Sequence, residues 1–243
     1  MTIVYKDLIG IILYFGFIIA IGLPVILLKV YRKLPFEITR KLYHMVITLS
    51  ILPLVQVFDT WYGAVLAVFL LALIAYPALA WLERSPVYKR IAVERGGGEF
   101  KRSLIIVQAS FALLIFVFWG LLGENWKYIA VVAVMAWGLG DAAAALVGKA
   151  FGSRRINHPR IEGVKTYEGT MAMFTVAGLM IFLTLLLYAG QPWQVSFIVA
   201  ILVAPVSATV ELFSNRGMDT LTVPISTGFA VLLVMFLFSL IGG

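Results

Sequence analysis

The feature that most constrains this chain is a recurring block of about 20 apolar residues followed by a polar connection. At 1.5 Å of rise per residue, a helix of that length crosses the ~30 Å hydrocarbon core of a bilayer. Eight such blocks stand at 8–28, 42–57, 61–82, 103–122, 127–148, 169–189, 194–212 and 222–241. The second is short and runs straight into the tight Phe58-Asp59-Thr60-Trp61 connection, which reads as a tilted hairpin partner of the third. A membrane barrel would instead alternate apolar and polar residues over ~10-residue segments, and no such alternation occurs. The expected fold is therefore all-α, a polytopic transmembrane helix bundle of about eight spans forming a single integral membrane domain over 1–243. Met1–Gly10 has no basic leader, and its apolar run is too long for a cleaved signal, so it reads as the start of the first span.

Composition agrees. Hydrophobic residues make up 62% of the chain and charged residues 13%, where a soluble domain is about a quarter charged. The absence of cysteine excludes disulfides, thiolate metal sites and a cysteine nucleophile, and two histidines argue against a His-rich metal centre. The net charge of +7 is distributed by topology. Lys29, Arg32, Lys33, Arg40 and Lys41 fall in the first connection, and Arg84, Lys89, Arg90, Arg95, Lys101 and Arg102 in the third. Lys149, Arg154, Arg155, Arg160 and Lys165 fall in the fifth and Arg216 in the seventh, giving 17 of the 19 Lys and Arg. The even connections hold only Lys127, together with Trp61, Trp126 and Trp193 as interfacial anchors. The positive-inside rule places the odd connections in the cytoplasm and both termini outside. The basic excess then reads as topology plus attraction to anionic lipid, and nucleic acid is not an expected partner. Nothing in the pattern specifies an oligomeric state.

Four segments carry residues capable of chemistry. In Trp137–Gly152, Asp141 lies inside the fifth span, about two helical turns below Lys149. A carboxylate there costs a few kcal/mol, so it faces a polar cavity or a partner rather than lipid. Small residues around it, Gly138, Gly140, Ala142–Ala145 and Gly148, also suit a packing helix with one paired acid. In Glu162–Phe174, Lys165 and Glu168 sit at the entrance to the sixth span, where helix amides favour anions. Lys165 suits phosphate there, and Glu168 suits a divalent cation, a balancing charge or a helix cap. In Val210–Pro224, Glu211, Asn215 and Asp219 surround a turn at Gly217, offering hard oxygen donors of the kind Mg²⁺ prefers, or else a capped interhelical turn. In Ile38–Val46, Arg40, Lys41 and His44 begin the second span on shared helical faces. Arg40 and Lys41 double as topology anchors there, while His44 lies just inside the apolar run and needs a polar partner.

No GxxxxGK[ST], HExxH or GxSxG motif is present, so a nucleotide would not sit in a P-loop. The four segments lie at cytoplasmic ends of spans in the deduced topology. Carboxylates, cations and a histidine gathered where a soluble nucleotide meets a membrane lipid form an inventory suited to phosphoryl transfer.

Arg40-Lys41-Leu42-Tyr43-His44, the Gly138–Gly152 stretch, Lys165–Phe174 and the Glu211–Pro224 stretch resemble, in order, the dolichol kinase, phytol kinase and CTP-dependent diacylglycerol kinase family, a relative of the phosphatidate cytidylyltransferases. The resemblance implies transfer of the γ-phosphate of CTP to a membrane isoprenoid alcohol or diacylglycerol, with Mg²⁺. It implies roles for Arg40, Lys41, Lys165, Gly140, Gly169 and Gly217 around the nucleotide. Asp141, Glu168, Glu211 and Asp219 would serve the metal, with Asp141, Lys165 and His44 catalytic. Thr220 departs from the pattern, which has Asn at that point. The chain resembles a short prokaryotic-type member, placed in the cell membrane with its site facing the cytoplasm. The rival expectations are a cytidylyltransferase that makes a CDP-lipid and, from another class, a transporter or lipid flippase.

Overall fold

The computed structural model describes residues 2–32, 34–86, 88–92, 98–215 and 217–240, without the side chains of 2–4, 89 and 90. Lys33, Arg95 and Arg216, which entered the topology argument, lie outside the described residues. Among the described residues, eight helices are long and apolar enough to cross a membrane: Tyr5–Arg32, Phe36–Gln56, Trp61–Leu82, Glu99–Leu121, Glu124–Phe151, Tyr167–Tyr188, Trp193–Phe213 and Asp219–Leu240. Each expected span is present, and most are longer than expected because hydropathy ends where helices still run on into polar residues.

The chain divides into two compact units, Met1–Leu121 and Leu122–Gly243. In the first, α1 (Thr2–Arg32) packs beside α2 (Phe36–Leu49), α3 (Ile51–Gln56) and α4 (Trp61–Leu82). A short α5 (Tyr88–Ile91) leads to α6 (Glu99–Ile115), which packs on α4 and continues as a π-helical turn over Phe116–Leu121. The second span is thus two helices. Pro53 lacks an N–H and its ring crowds the carbonyl four residues back, so the helix breaks between Leu49 and Ile51. Ser50 closes the break, donating to the Ile47 carbonyl through Oγ (2.7 Å) and through its own N–H (3.1 Å).

The tight connection before α4 is held from α1. Asp7, only 8% exposed, accepts the Asp59 N–H (3.1 Å) and the Thr60 hydroxyl (2.5 Å). Thr60 in turn caps α4 by accepting the Gly63 N–H at 3.1 Å. One carboxylate therefore satisfies the turn that makes the second and third spans antiparallel neighbours.

In the second unit α7 (Tyr128–Phe151), α8 (Tyr167–Leu183), α9 (Trp193–Phe213) and α10 (Asp219–Leu240) form a ring, each packed on its chain neighbour and α10 closing against α7. A π-helical turn extends α8 to Tyr188. From Ile129 to Gly138 every residue of α7 is buried, as its all-round apolar sequence requires. Two hydroxyl pairs tie α9 to α10, Ser207 with Thr227 and Ser214 with Thr222, both at 2.7 Å.

Helices α7 and α8 approach through small residues. A Cβ at Gly140 would lie 2.5 Å from Met173 Sδ, and one at Gly169 would lie 2.9 Å from the Ala144 carbonyl oxygen and 3.3 Å from Gly148 Cα. Gly140, Ala144 and Gly148 recur every fourth position and so share one face of α7, a small-residue seam of the kind that lets membrane helices touch backbone to backbone. Gly140→Leu is expected to force this seam apart at a cost of about 1–3 kcal/mol. Thermal unfolding in detergent checks this, with Gly16→Leu as the control because nothing lies within 4 Å of a Cβ there.

Candidate active site

Residues 152–166, in the polar connection between the fifth and sixth spans, fold back on themselves as a hairpin. Gly152 N–H bonds the Gly148 carbonyl (3.1 Å) and ends α7. The returning arm then pairs with the outgoing one: Ile156 N–H donates to Lys165 O (2.9 Å), and Tyr167 N–H donates to Arg154 O (3.0 Å). Its base is fastened by Glu168, which accepts the Ser153 hydroxyl (2.6 Å) and the Arg154 N–H (3.3 Å). Its outer part meets the end of α9, where Asn215 Nδ2 donates to the Arg160 carbonyl (3.3 Å) and the His158 ring stands edge-on to Phe213 with centroids 5.5 Å apart.

This hairpin delivers Lys165 to Glu211. The Lys165 ammonium forms an ion pair with Glu211 Oε1 and also approaches the Glu211 main-chain carbonyl at 3.4 Å. Only 5% of the Glu211 side chain is exposed, against 27% for Lys165. The carboxylate is thus taken out of water and answered by a cation that still reaches solvent. Beside it Thr166 caps α8, accepting the Gly169 N–H at 3.1 Å. Together with the Tyr167 bond to Arg154, this means that protein groups already satisfy two of the first amides of α8. The Lys165 ammonium, directly before this cap, is therefore more open to a partner than those two amides are.

The remaining site residues of this unit are spread in depth. Gly169 lies against Gly148, so the first turn of α8 is level with that part of α7. Asp141, half-buried on α7, is seven residues further in, or about 10 Å at the helical rise. Asp219 opens α10. Gly217, at φ 75°, supplies the left-handed conformation of the turn closed by Met218 N–H to Asn215 O (3.0 Å). Gly140 and Gly169 occupy the helix seam described above. Among the described residues, no three His, Asp or Glu side chains are gathered as a metal-holding group.

Arg40, Lys41 and His44 belong to α2 in the first unit. Arg40 is turned onto Glu37 of its own helix, with Nε and Nη2 both on Glu37 Oε2 at 3.1 and 3.0 Å. Lys41 is almost fully buried at 3% exposure, which is unusual for a residue whose only task is anchoring a helix end. His44 is half-buried, and its carbonyl accepts the Thr48 hydroxyl at 3.0 Å.

Sequence reasoning missed Ser153, Arg154 and Thr166. Thr166 carried a readable signal, a threonine directly before an apolar helical run. Ser153 and Arg154 carried none, because their partner Glu168 is 14 to 15 residues away in the chain.

The fold and the site define a multi-pass helical membrane protein with an ion-paired lysine at one end of a four-helix unit. Among curated proteins, the phytol kinase of Synechocystis sp. is 30% identical over 197 residues, covering 79% of this chain and 77% of the relative. The chain belongs to the polyprenol and phytol kinase family. No protein-family model matches it. No solved structure matches it either.

Thr166→Ala removes the α8 cap and is expected to lower stability by about 1 kcal/mol, while Thr166→Ser retains most of it. Thermal unfolding of the two variants side by side provides the check.

Proposed function

We propose that this protein is a CTP-dependent lipid-alcohol kinase of the membrane, acting on an isoprenoid alcohol of the phytol, polyprenol or dolichol type, or on diacylglycerol. The phytol kinase relative supports the kinase class, and the four-segment motif resemblance supports CTP as donor. The observation that carries the reading at residue level is the Lys165–Glu211 pair. A lysine held beside a buried acid, at the end of a span, is placed to meet an anionic ligand arriving from water.

In the reaction an oxygen–phosphorus bond forms from the alcohol hydroxyl to the γ-phosphorus. The bond from that phosphorus to the β–γ bridging oxygen breaks, leaving CDP and a lipid monophosphate. Lys165 holds triphosphate oxygens; Arg40 and Lys41, in the first unit, are further cations to which the resemblance gives a nucleotide role. Asp141, deeper in its span, is suited to polarise a hydroxyl that reaches it from the lipid side. His44, in the first unit, is the candidate base that the resemblance supplies.

The donors available to a divalent cation are carboxylate oxygens, which suit Mg²⁺. A Mg²⁺ that arrives on a triphosphate needs only one or two carboxylates from protein. Asp141 or Asp219, either one alone, would hold it. When bound, Mg²⁺ would offset the charge that spreads over the phosphoryl oxygens.

The purified protein, given γ-labelled CTP, Mg²⁺ and phytol, polyprenol or diacylglycerol, is expected to yield labelled lipid monophosphate and CDP. A CDP-lipid with pyrophosphate would instead mean cytidylyl transfer, and no product with any acceptor would defeat the reading. Asp141→Asn and Lys165→Ala should both still insert, the second with lowered stability because Glu211 loses its partner, and lose about 100-fold or more of turnover, the scale of a removed charge-stabilising group.

The orientation proposed is cytoplasmic for the hairpin and external for both termini. The cysteine-free chain makes this direct to test. On intact cells an impermeant maleimide should label Asn125→Cys at once, and Val164→Cys only after permeabilisation.

A further inference from the structure

Glu211 entered the sequence argument as one of four acids for a metal, yet one of its carboxylate oxygens, Oε1, already faces the Lys165 ammonium. We propose that Glu211 is a positioning residue for Lys165, which it aims at the nucleotide phosphates, and that it is not a ligand of the metal. The proposal rests on the kinase reading above and adds a role which that reading does not require.

Two features carry the argument. The first is donor arithmetic. An ammonium has three N–H donors. Glu211 receives two through its carboxylate Oε1 and its main-chain carbonyl, at 3.4 Å for the latter. Both acceptors belong to one residue, so the third donor points in a fixed direction relative to α9. A lysine on its own, with a flexible four-carbon stem, has no such preference.

The second is asymmetric burial. Glu211 is 5% exposed and Lys165 is 27% exposed, so the acid sits behind the amine as seen from water. A ligand approaching from that side meets nitrogen first. The hairpin reinforces the order, since Lys165 O is bonded to Ile156 N–H (2.9 Å) and the next residue caps α8. The lysine backbone is thereby fixed at both sides, and its side chain is fixed at the tip. A metal competing for Glu211 Oε1 would have to displace the ammonium already there.

The test is a double-mutant cycle read as kcat and as the Mg²⁺ concentration giving half-maximal activity, with thermal unfolding measured on each variant and acetic anhydride labelling of Lys165 on those that retain it. If Glu211 acts through Lys165, Glu211→Gln should lower kcat about tenfold in the wild-type background. The same change should cost about twofold or less once Lys165→Ala is present, because the group it positions is gone. The Mg²⁺ requirement should stay at the wild-type value, Glu211→Ala should be worse than Glu211→Gln, and Lys165 should acetylate several-fold faster in either variant.

Equal loss in both backgrounds, or a raised Mg²⁺ requirement, would overturn the proposal in favour of a metal ligand. A lower unfolding temperature with unchanged kcat would overturn it in favour of a purely structural pair. If the wild-type protein proves inactive with every acceptor, the kinase reading fails on its own, and the labelling decides the positioning claim. Equal acetylation of Lys165 with and without the Glu211 carboxylate would then refute it.

Discussion

A carboxylate held out of water next to an ammonium is the interaction on which the rest of the candidate site depends. Removing one member of a buried ion pair costs about 3–5 kcal/mol, because the survivor is left as an uncompensated charge. Replacing both with apolar residues of similar volume is often neutral, so the pair is poor evidence of a need for stability. What it does secure is geometry. Glu211 is on α9 and Lys165 enters from the returning arm of the hairpin, so their contact decides where that arm ends. Ser153, Arg154 and Glu168 fasten the base of the same hairpin, and Asn215 fastens its outer part. These contacts are consistent with one another: each places Lys165 at the same end of α8.

The glycines show how a motif can be functional for a reason other than ligand contact. Gly140 and Gly169 fall in segments that resemble those of CTP-using lipid kinases, and the resemblance places them around a nucleotide. In the structure they are points of close helix approach, with a Cβ excluded by Met173 in one case and by the Ala144 carbonyl in the other. Lipid offers no hydrophobic force to push two membrane helices together, so contact must come from close packing. A larger side chain at Gly169 would shift the first turn of α8, and with it Thr166 and Lys165 immediately before that turn. The seam and the site are thus mechanically linked even where no glycine meets a ligand.

Much of the fold was legible because the bilayer imposes one solution on an apolar block: a helix that satisfies its own backbone. All eight spans follow from that constraint. The break of the second span at Ser50 was also open to reading, since Pro53 removes a donor inside a block already noted as short. The hairpin of residues 152–166 was not. Its pairing depends on bonds such as Tyr167 to Arg154, and its polar residues have no period that separates a folded arm from a solvated loop. Lys165 and Glu211 were each picked out singly, and their pairing was beyond reach because 46 residues separate them.

That separation bears on how charge should be read in such chains. The basic residues of the odd connections were interpreted together as a topology signal, and the structure gives them different surroundings. Arg40 lies on an acid of its own helix turn, with both side chains part-buried. Lys165 lies on a buried acid from another helix. Counting charges orients a membrane protein, because the translocation machinery and the lipid surface respond to their sum. Selecting a ligand depends on one charge held in one direction, which requires a partner that cannot move away. A buried acid on a packed helix meets that requirement, and an exposed one on a loop does not.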